Sequence, residues 1–209
     1  MKHTSTALIA VALVGAAVAF SASRPEPATL PVYRTADLTP EWVDLDAAPA
    51  HRVGAFALQD QSGATITEAD LDGAVTVVSF FFARCTSICP SLRSNLTRVQ
   101  EAFANDGRVQ ILSHTVQPEA DSVSALRAYA ATNHIDPARW HLLTGSRDAI
   151  YGLARASYFA DVAEDGFLHT ETVFLLDGQR RIRGVYTGSL PLEVDRLIED
   201  ARTLSAEQS

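Results

Sequence analysis

The sequence predicts an α/β domain with a mixed central sheet and helices on both faces, and three observations carry that expectation. A nearly unbroken run of β-branched and aromatic residues, Ala74 to Phe82 (AVTVVSFFF), reads as a central strand buried on both faces. Helical periodicity follows at once, with Ile88, Leu92, Leu96, Val99 and Phe103 spaced 4, 4, 3 and 4 residues apart. Strand and helix patterns then alternate until a late hairpin and a closing helix, an order that calls for parallel and antiparallel pairing in one sheet.

The elements follow in chain order. Residues 1–23 carry Lys2, an apolar run of 14 residues from Ala7 to Phe20, and small residues behind it, the pattern of a secretion signal or a membrane anchor. The run is short of the roughly 20 residues that span a bilayer, and the residues around it leave cleavage and anchoring both open. Residues 24–50 are rich in proline, acid and alanine, as in a tether. A compact domain over 51–209 is expected to begin near His51. Phe56 and Leu58, the turn signal ending at Gly63, and Ala64 to Ile66 predict an N-terminal β-hairpin. After the central strand and the first helix, Asn105-Asp106-Gly107 reads as a stop and Val109 to Leu112 as the next strand. Asp121 is expected to cap a helix carrying Val123, Leu126 and Tyr129, and a third helix begins about Arg147. Thr172 to Leu176 and Arg181 to Tyr186, joined at Asp177-Gly178, predict the late hairpin. The last helix follows Pro191, with Val194, Leu197 and Ile198 inward. A thioredoxin-like sandwich matches this order.

Composition narrows the function. The chain of 209 residues is 47% hydrophobic, enough for one domain with a buried core. Its 17 basic residues stand against 25 acidic ones, a net charge of −8 without a basic block, so the Lys and Arg surface that binds nucleic acid is missing. Two cysteines cannot make a disulfide scaffold, and Cys85 and Cys89 are too close together to stabilise the fold much by closing a loop.

Chemistry explains the pair better. In Cys85-Thr-Ser-Ile-Cys89-Pro90 the thiols are four residues apart, which on a helical turn separates the Cβ atoms by about 5–6 Å. They can share a metal or oxidise to each other. Pro90 suits the first helical position and places Cys89 beside the helix start, where free N–H groups and the dipole favour thiolate. Two thiolates suit Cu(I), and an imidazole would add a place for Cu(II). Of the six histidines, His169 lies in the loop entering the late hairpin. His114 ends the Val109 strand, at the same sheet edge as the cysteines if the two strands are parallel, so spacing alone leaves both in contention. His134 and His141 read as structural. The only methionine is the initiator, which excludes a thioether site.

These residues form a pattern that resembles the SCO/SenC family of thioredoxin-fold copper proteins tied to cytochrome c oxidase assembly. The resemblance runs from about Pro31 to the final helix. It rests on Asp60-Gln61-Ser62-Gly63, on Phe80-Phe81-Phe82-Ala83-Arg84-Cys85-Thr86-Ser87-Ile88-Cys89-Pro90, on Pro118-Glu119-Ala120-Asp121, and on His169 before Val173-Phe174-Leu175-Leu176-Asp177. It implies copper, as Cu(I) or Cu(II), held by Cys85, Cys89 and His169, with His114 as a candidate auxiliary ligand. The implied role is a metallochaperone for the binuclear copper site of oxidase subunit II or another exported copper protein. The alternative is a thiol-disulfide oxidoreductase that works through Cys85 and Cys89 as its catalytic residues and keeps such a site reduced. The implied place is the periplasmic side of the cytoplasmic membrane, with the domain anchored through an uncleaved N-terminal segment or soluble. Two positions depart from the family pattern: Gln117 and Leu168 stand where many members have Asp.

Overall fold

A computed structural model describes residues 30–33, 38–42, 51–160, 168 and 170–207. The expected leader at 1–23, much of the tether and His169 lie outside the described residues. Among the described residues, no helix is long and apolar enough to cross a membrane.

The short strands β1 (Val32–Tyr33) and β2 (Pro40–Glu41) pair with each other, and β3 (Ala57–Gln59) and β4 (Thr65–Thr67) form the expected N-terminal hairpin. The main sheet has five strands: β5 (Val75–Phe81), β6 (Val109–Thr115), β7 (Trp140–Leu143), β8 (Thr172–Leu176) and β9 (Ile182–Thr187), in the order β7-β6-β5-β8-β9. Strands β5, β6 and β7 run parallel, whereas β8 and β9 are antiparallel additions. Every residue of β5 is buried, Thr76 and Ser79 included, as its nearly unbroken apolar run requires of a central strand.

Strand alternation divides the core in two. Val75, Val77 and Phe81 face a layer built from helices α1 (Cys89–Ala102), α2 (Val123–Thr132) and α4 (Pro191–Glu207). Val78 and Phe80 face α3 (Arg147–Tyr158) and the N-terminal hairpin.

Three local expectations are corrected. Ser122, not Asp121, caps α2, its hydroxyl accepting from Ala125 N–H at 3.3 Å. The late hairpin does not turn on Asp177-Gly178 as a two-residue loop. Asp177 N–H donates to Arg181 O and Arg180 N–H to Asp177 O, so Gly178, Gln179 and Arg180 form the loop and Arg180 takes the left-handed conformation (φ 64°). The Asp177 carboxylate supports that shape by accepting the N–H groups of Gln179 and Arg181. Finally, part of the expected tether belongs to the compact body. Val32 is buried, and Arg183 donates to the carbonyls of Leu30 (2.7 Å) and Pro31 (3.0 Å), fastening that segment beside β9.

Candidate metal and thiol site

Strand β5 ends at Phe81, and the chain turns back through Phe82–Cys85, where Cys85 N–H donates to Phe82 O at 3.2 Å. Helix α1 begins four residues later with Cys89, and Pro90 lies in its first turn, where a missing N–H costs nothing. Its N-cap residue, Ile88, has no side-chain oxygen to receive the free N–H groups of that turn. Sulfur partly replaces that oxygen, since Cys89 N–H donates to Cys85 Sγ at 3.4 Å. Ser87 Oγ lies 3.7 Å from the same sulfur.

The two thiols, both reduced, therefore differ in character. Burial acts against ionisation of Cys85, but hydrogen bonds from Cys89 and Ser87 outweigh it and hold its pKa below the usual thiol value. Cys89 is only 8% exposed, and burial, reinforced by its hydrogen bond with Cys85, pushes its thiol up to about 12. The sequence places the thiolate-favouring helix start at Cys89. The structure gives that benefit to Cys85, because the Cys89 side chain turns into the core while its own N–H points at the neighbouring sulfur.

The pair separates two openings. On the Cys89 side lies a cleft of about 300 Å³ lined by Phe80, Phe81, Phe82, Ile88, Val116, Leu168, Thr170 and Glu171. Ser189 donates to the Glu171 carboxylate, and Gly188 N–H donates to Glu171 O, so the far wall is tied to the end of β9. On the Cys85 side a more open groove runs between α1 and α2, with Arg93, Tyr129 and Asn133 on its walls. Beneath Cys89, Ser79 and Ser113 share a hydrogen bond of 2.7 Å and Trp140 Nε1–H donates to Ser113, so these three polar groups satisfy one another.

The histidines fall in different places. His114 pairs in register with Phe80 and projects into the α3 layer, on the other side of the sheet from α1. Its ring stacks on Phe80 (centroids 5.4 Å apart) and meets Tyr158 and Phe56. It is fully buried without a hydrogen bond to either nitrogen, and burial lowers its pKa to about 3. The structure thus does not bring His114 to the thiols, which corrects the auxiliary-ligand expectation. Phe80 alternates away from α1, and His114 follows it. His141 pairs with Asp60 at 3.1 Å, and exposed His134 follows the end of α2 with a left-handed backbone (φ 54°). His169 lies outside the described residues, but its chain neighbours Leu168 and Thr170 both line the cleft with Cys89.

Two soft sulfur donors fit Cu(I). Among the described residues no group of three His, Cys, Asp or Glu side chains could hold a metal ion.

One arrangement is absent from the sequence expectations. Asp121, which local sequence reads as a helix cap, is 2% exposed and accepts from Ala83 N–H at 3.1 Å and from the Thr115 hydroxyl. The available signal is Ser122, itself a good cap next to α2, which leaves the preceding acid free for another partner.

Comparison with known proteins agrees with this architecture. Residues 46–205 match the family model described as SCO1/SenC. The chain is 29% identical over 161 residues to a SCO1 protein homolog of Bacillus subtilis, covering 74% of this chain and 83% of that one. Its structure resembles that of BsSco, described as a member of the Sco family of cytochrome c oxidase assembly proteins with a disulfide switch (TM-score 0.67, 28% identity, 75% of this chain and 95% of that one). It also resembles Arabidopsis thaliana ScoI with copper bound (TM-score 0.59, 27% identity, 75% and 98% covered).

Proposed function

The chain belongs to the SCO1/SenC family, and on that premise we propose that it is a copper-binding metallochaperone with Cys85, Cys89 and His169 as ligands. It acts outside the cytoplasmic membrane in assembly of the binuclear copper site of cytochrome c oxidase subunit II or a similar exported copper protein. The observation that carries the reading is the thiol pair at the head of α1, opening on a cleft whose opposite wall includes both chain neighbours of residue 169. The copper bound by the Arabidopsis thaliana relative supports the metal, and the apolar N-terminal segment supports export.

In this reading copper is the cargo. Cys85 offers the more accessible sulfur on the groove between α1 and α2, and Cys89 receives the metal from the buried side. Phe80, Phe81, Phe82, Ile88, Val116 and Leu168 on the cleft walls bring no side-chain donor to compete with the sulfurs, while an open side at Cys85 leaves room for an incoming ligand from the partner.

The same asymmetry favours a second reading as a thiol-disulfide oxidoreductase. The Cys85 thiolate attacks a partner disulfide, forming a mixed disulfide and releasing one partner thiolate. Cys89, after losing its proton, then attacks the Cys85 sulfur. That step closes the Cys85–Cys89 disulfide and releases the second partner thiolate, so two electrons pass to the partner. The disulfide switch of BsSco supports this alternative.

An anaerobic Cu(I) competition titration of the full reduced chain separates the two. Metallochaperone function predicts tight binding of a single copper that weakens sharply in His169→Ala, with thiol oxidation retained, and that disappears in Cys85→Ser. Weak binding by the parent and by His169→Ala alike, with the thiols still cycling, overturns it in favour of the reductase.

A further inference from the structure

A buried carboxylate needs donors to replace its lost hydration, and those of Asp121 join two separate parts of the chain. Thr115, the last residue of β6, donates its hydroxyl to the carboxylate, and the hydroxyl oxygen accepts from Gln117 N–H at 3.0 Å. Gln117 O accepts from the N–H groups of Ala120 and Asp121, while Val116 N–H donates to Phe81 O at 2.8 Å. The exit of β6 is thereby folded back and fixed to the exit of β5. The second donor to Asp121 is Ala83 N–H, which lies inside the Phe82–Cys85 turn and has no acceptor within it. Helix capping does not explain this carboxylate, since Ser122 already caps α2.

We propose that Asp121 is a positioning residue for the thiol pair: anchored by Thr115, its carboxylate fixes the Phe82–Cys85 turn and so keeps Cys85 Sγ over the first N–H of α1. The copper half of this inference rests on the metallochaperone reading, whereas the thiol half does not. With the turn fixed, the two sulfurs are held together before a metal or an oxidant arrives. Without it, the turn must be ordered at the moment of binding.

The test uses the full chain in three variants, Asp121→Ala, Asp121→Asn and Thr115→Val. The readouts are Cu(I) affinity, the equilibrium constant for Cys85–Cys89 disulfide formation against glutathione, and the thermal midpoint. Asp121→Ala is expected to weaken copper binding by roughly 10–100-fold and to shift the disulfide equilibrium toward the dithiol. Asp121→Asn, whose amide oxygen can still accept from Ala83, restores most of both. A lower thermal midpoint in Asp121→Ala with both thiol readouts at parental values overturns the proposal, as does an Asn variant that behaves like Ala. If the parent itself binds no copper, the metallochaperone reading falls and the disulfide constant alone decides on Asp121. If Asp121→Ala does not fold, Thr115→Val decides, because loss of one donor moves the readouts about threefold in the same direction, and no movement overturns the proposal.

Discussion

Two buried carboxylates, Asp121 and Asp177, stand at opposite ends of the central sheet and are satisfied in different ways. At the far end Asp177 Oδ2 accepts from Arg181 Nε at 2.8 Å and from Arg183 Nη1 at 3.1 Å, both arginines being buried, and Glu207 lies 3.6 Å from Arg183. At the cysteine end, among the described residues, Asp121 has a backbone N–H and a hydroxyl as its donors, and His114, at the same end of β6, has no hydrogen-bond partner. The far end is closed by charge. The cysteine end is held by a few hydrogen bonds from neutral donors.

The largest expected effect lies at the charged end. Asp177→Ala takes the shared carboxylate away from two buried guanidinium groups, and urea unfolding is expected to show a loss of about 3–5 kcal/mol with copper affinity unchanged. An altered copper affinity would break the comparison by showing that the two ends are coupled.

Next is acid sensitivity. His114 titrates near 6.5 when unfolded and near 3 in the folded chain, because its aromatic surroundings cannot solvate the imidazolium. Below pH 6.5 the unfolded chain binds a proton that the folded chain refuses. Stability is therefore complete above that pH and declines toward pH 3, by at most about 1.4 kcal/mol per pH unit from this group. His114→Phe removes that component, and unfolding curves at pH 7, 5.5 and 4 measure the difference between the two slopes.

A smaller effect is expected from Gly188→Ala, where a Cβ would lie 2.4 Å from Leu92 Cδ1 and from Val173 Cγ2. The overpacking costs about 1–3 kcal/mol. Because Leu92 belongs to α1 and Gly188 is tied to Glu171 on the cleft wall, copper affinity is expected to fall as well, measured by the same competition titration. The smallest effect sharpens the division of labour beside Asp121. Ser122→Ala removes the cap of α2 and costs about 1 kcal/mol by thermal unfolding, with the disulfide equilibrium unmoved.

Much of this architecture is legible in the sequence. The run from Ala74 to Phe82, the spacing from Ile88 to Phe103, and the proline after Cys89 locate the central strand, the helix and the thiols between them. Contacts that depend on register are not legible. Which side of the sheet His114 faces follows from its alignment with Phe80, and parallel strands joined through a helix carry no turn chemistry to reveal that alignment. The backbone partner of Asp121 is 38 residues away in sequence, and local reading assigns the acid to the nearest helix instead. At Asp177 the residue types name the turn, but the three-residue loop follows from backbone bonds and from the carboxylate accepting the N–H groups of Gln179 and Arg181. The burial of Val32 is hidden for a similar reason, because its hold on the body comes through Arg183, far along the chain.

The sulfur of Cys85 also makes the start of α1 a built-in reporter. Since that sulfur receives the first N–H of the helix, any bond it forms, to a metal or to another sulfur, changes what it can offer the amide. The backbone N–H of Cys89 is therefore a natural probe of cargo and oxidation state, and its proton chemical shift and solvent exchange follow the condition of the site from inside the chain.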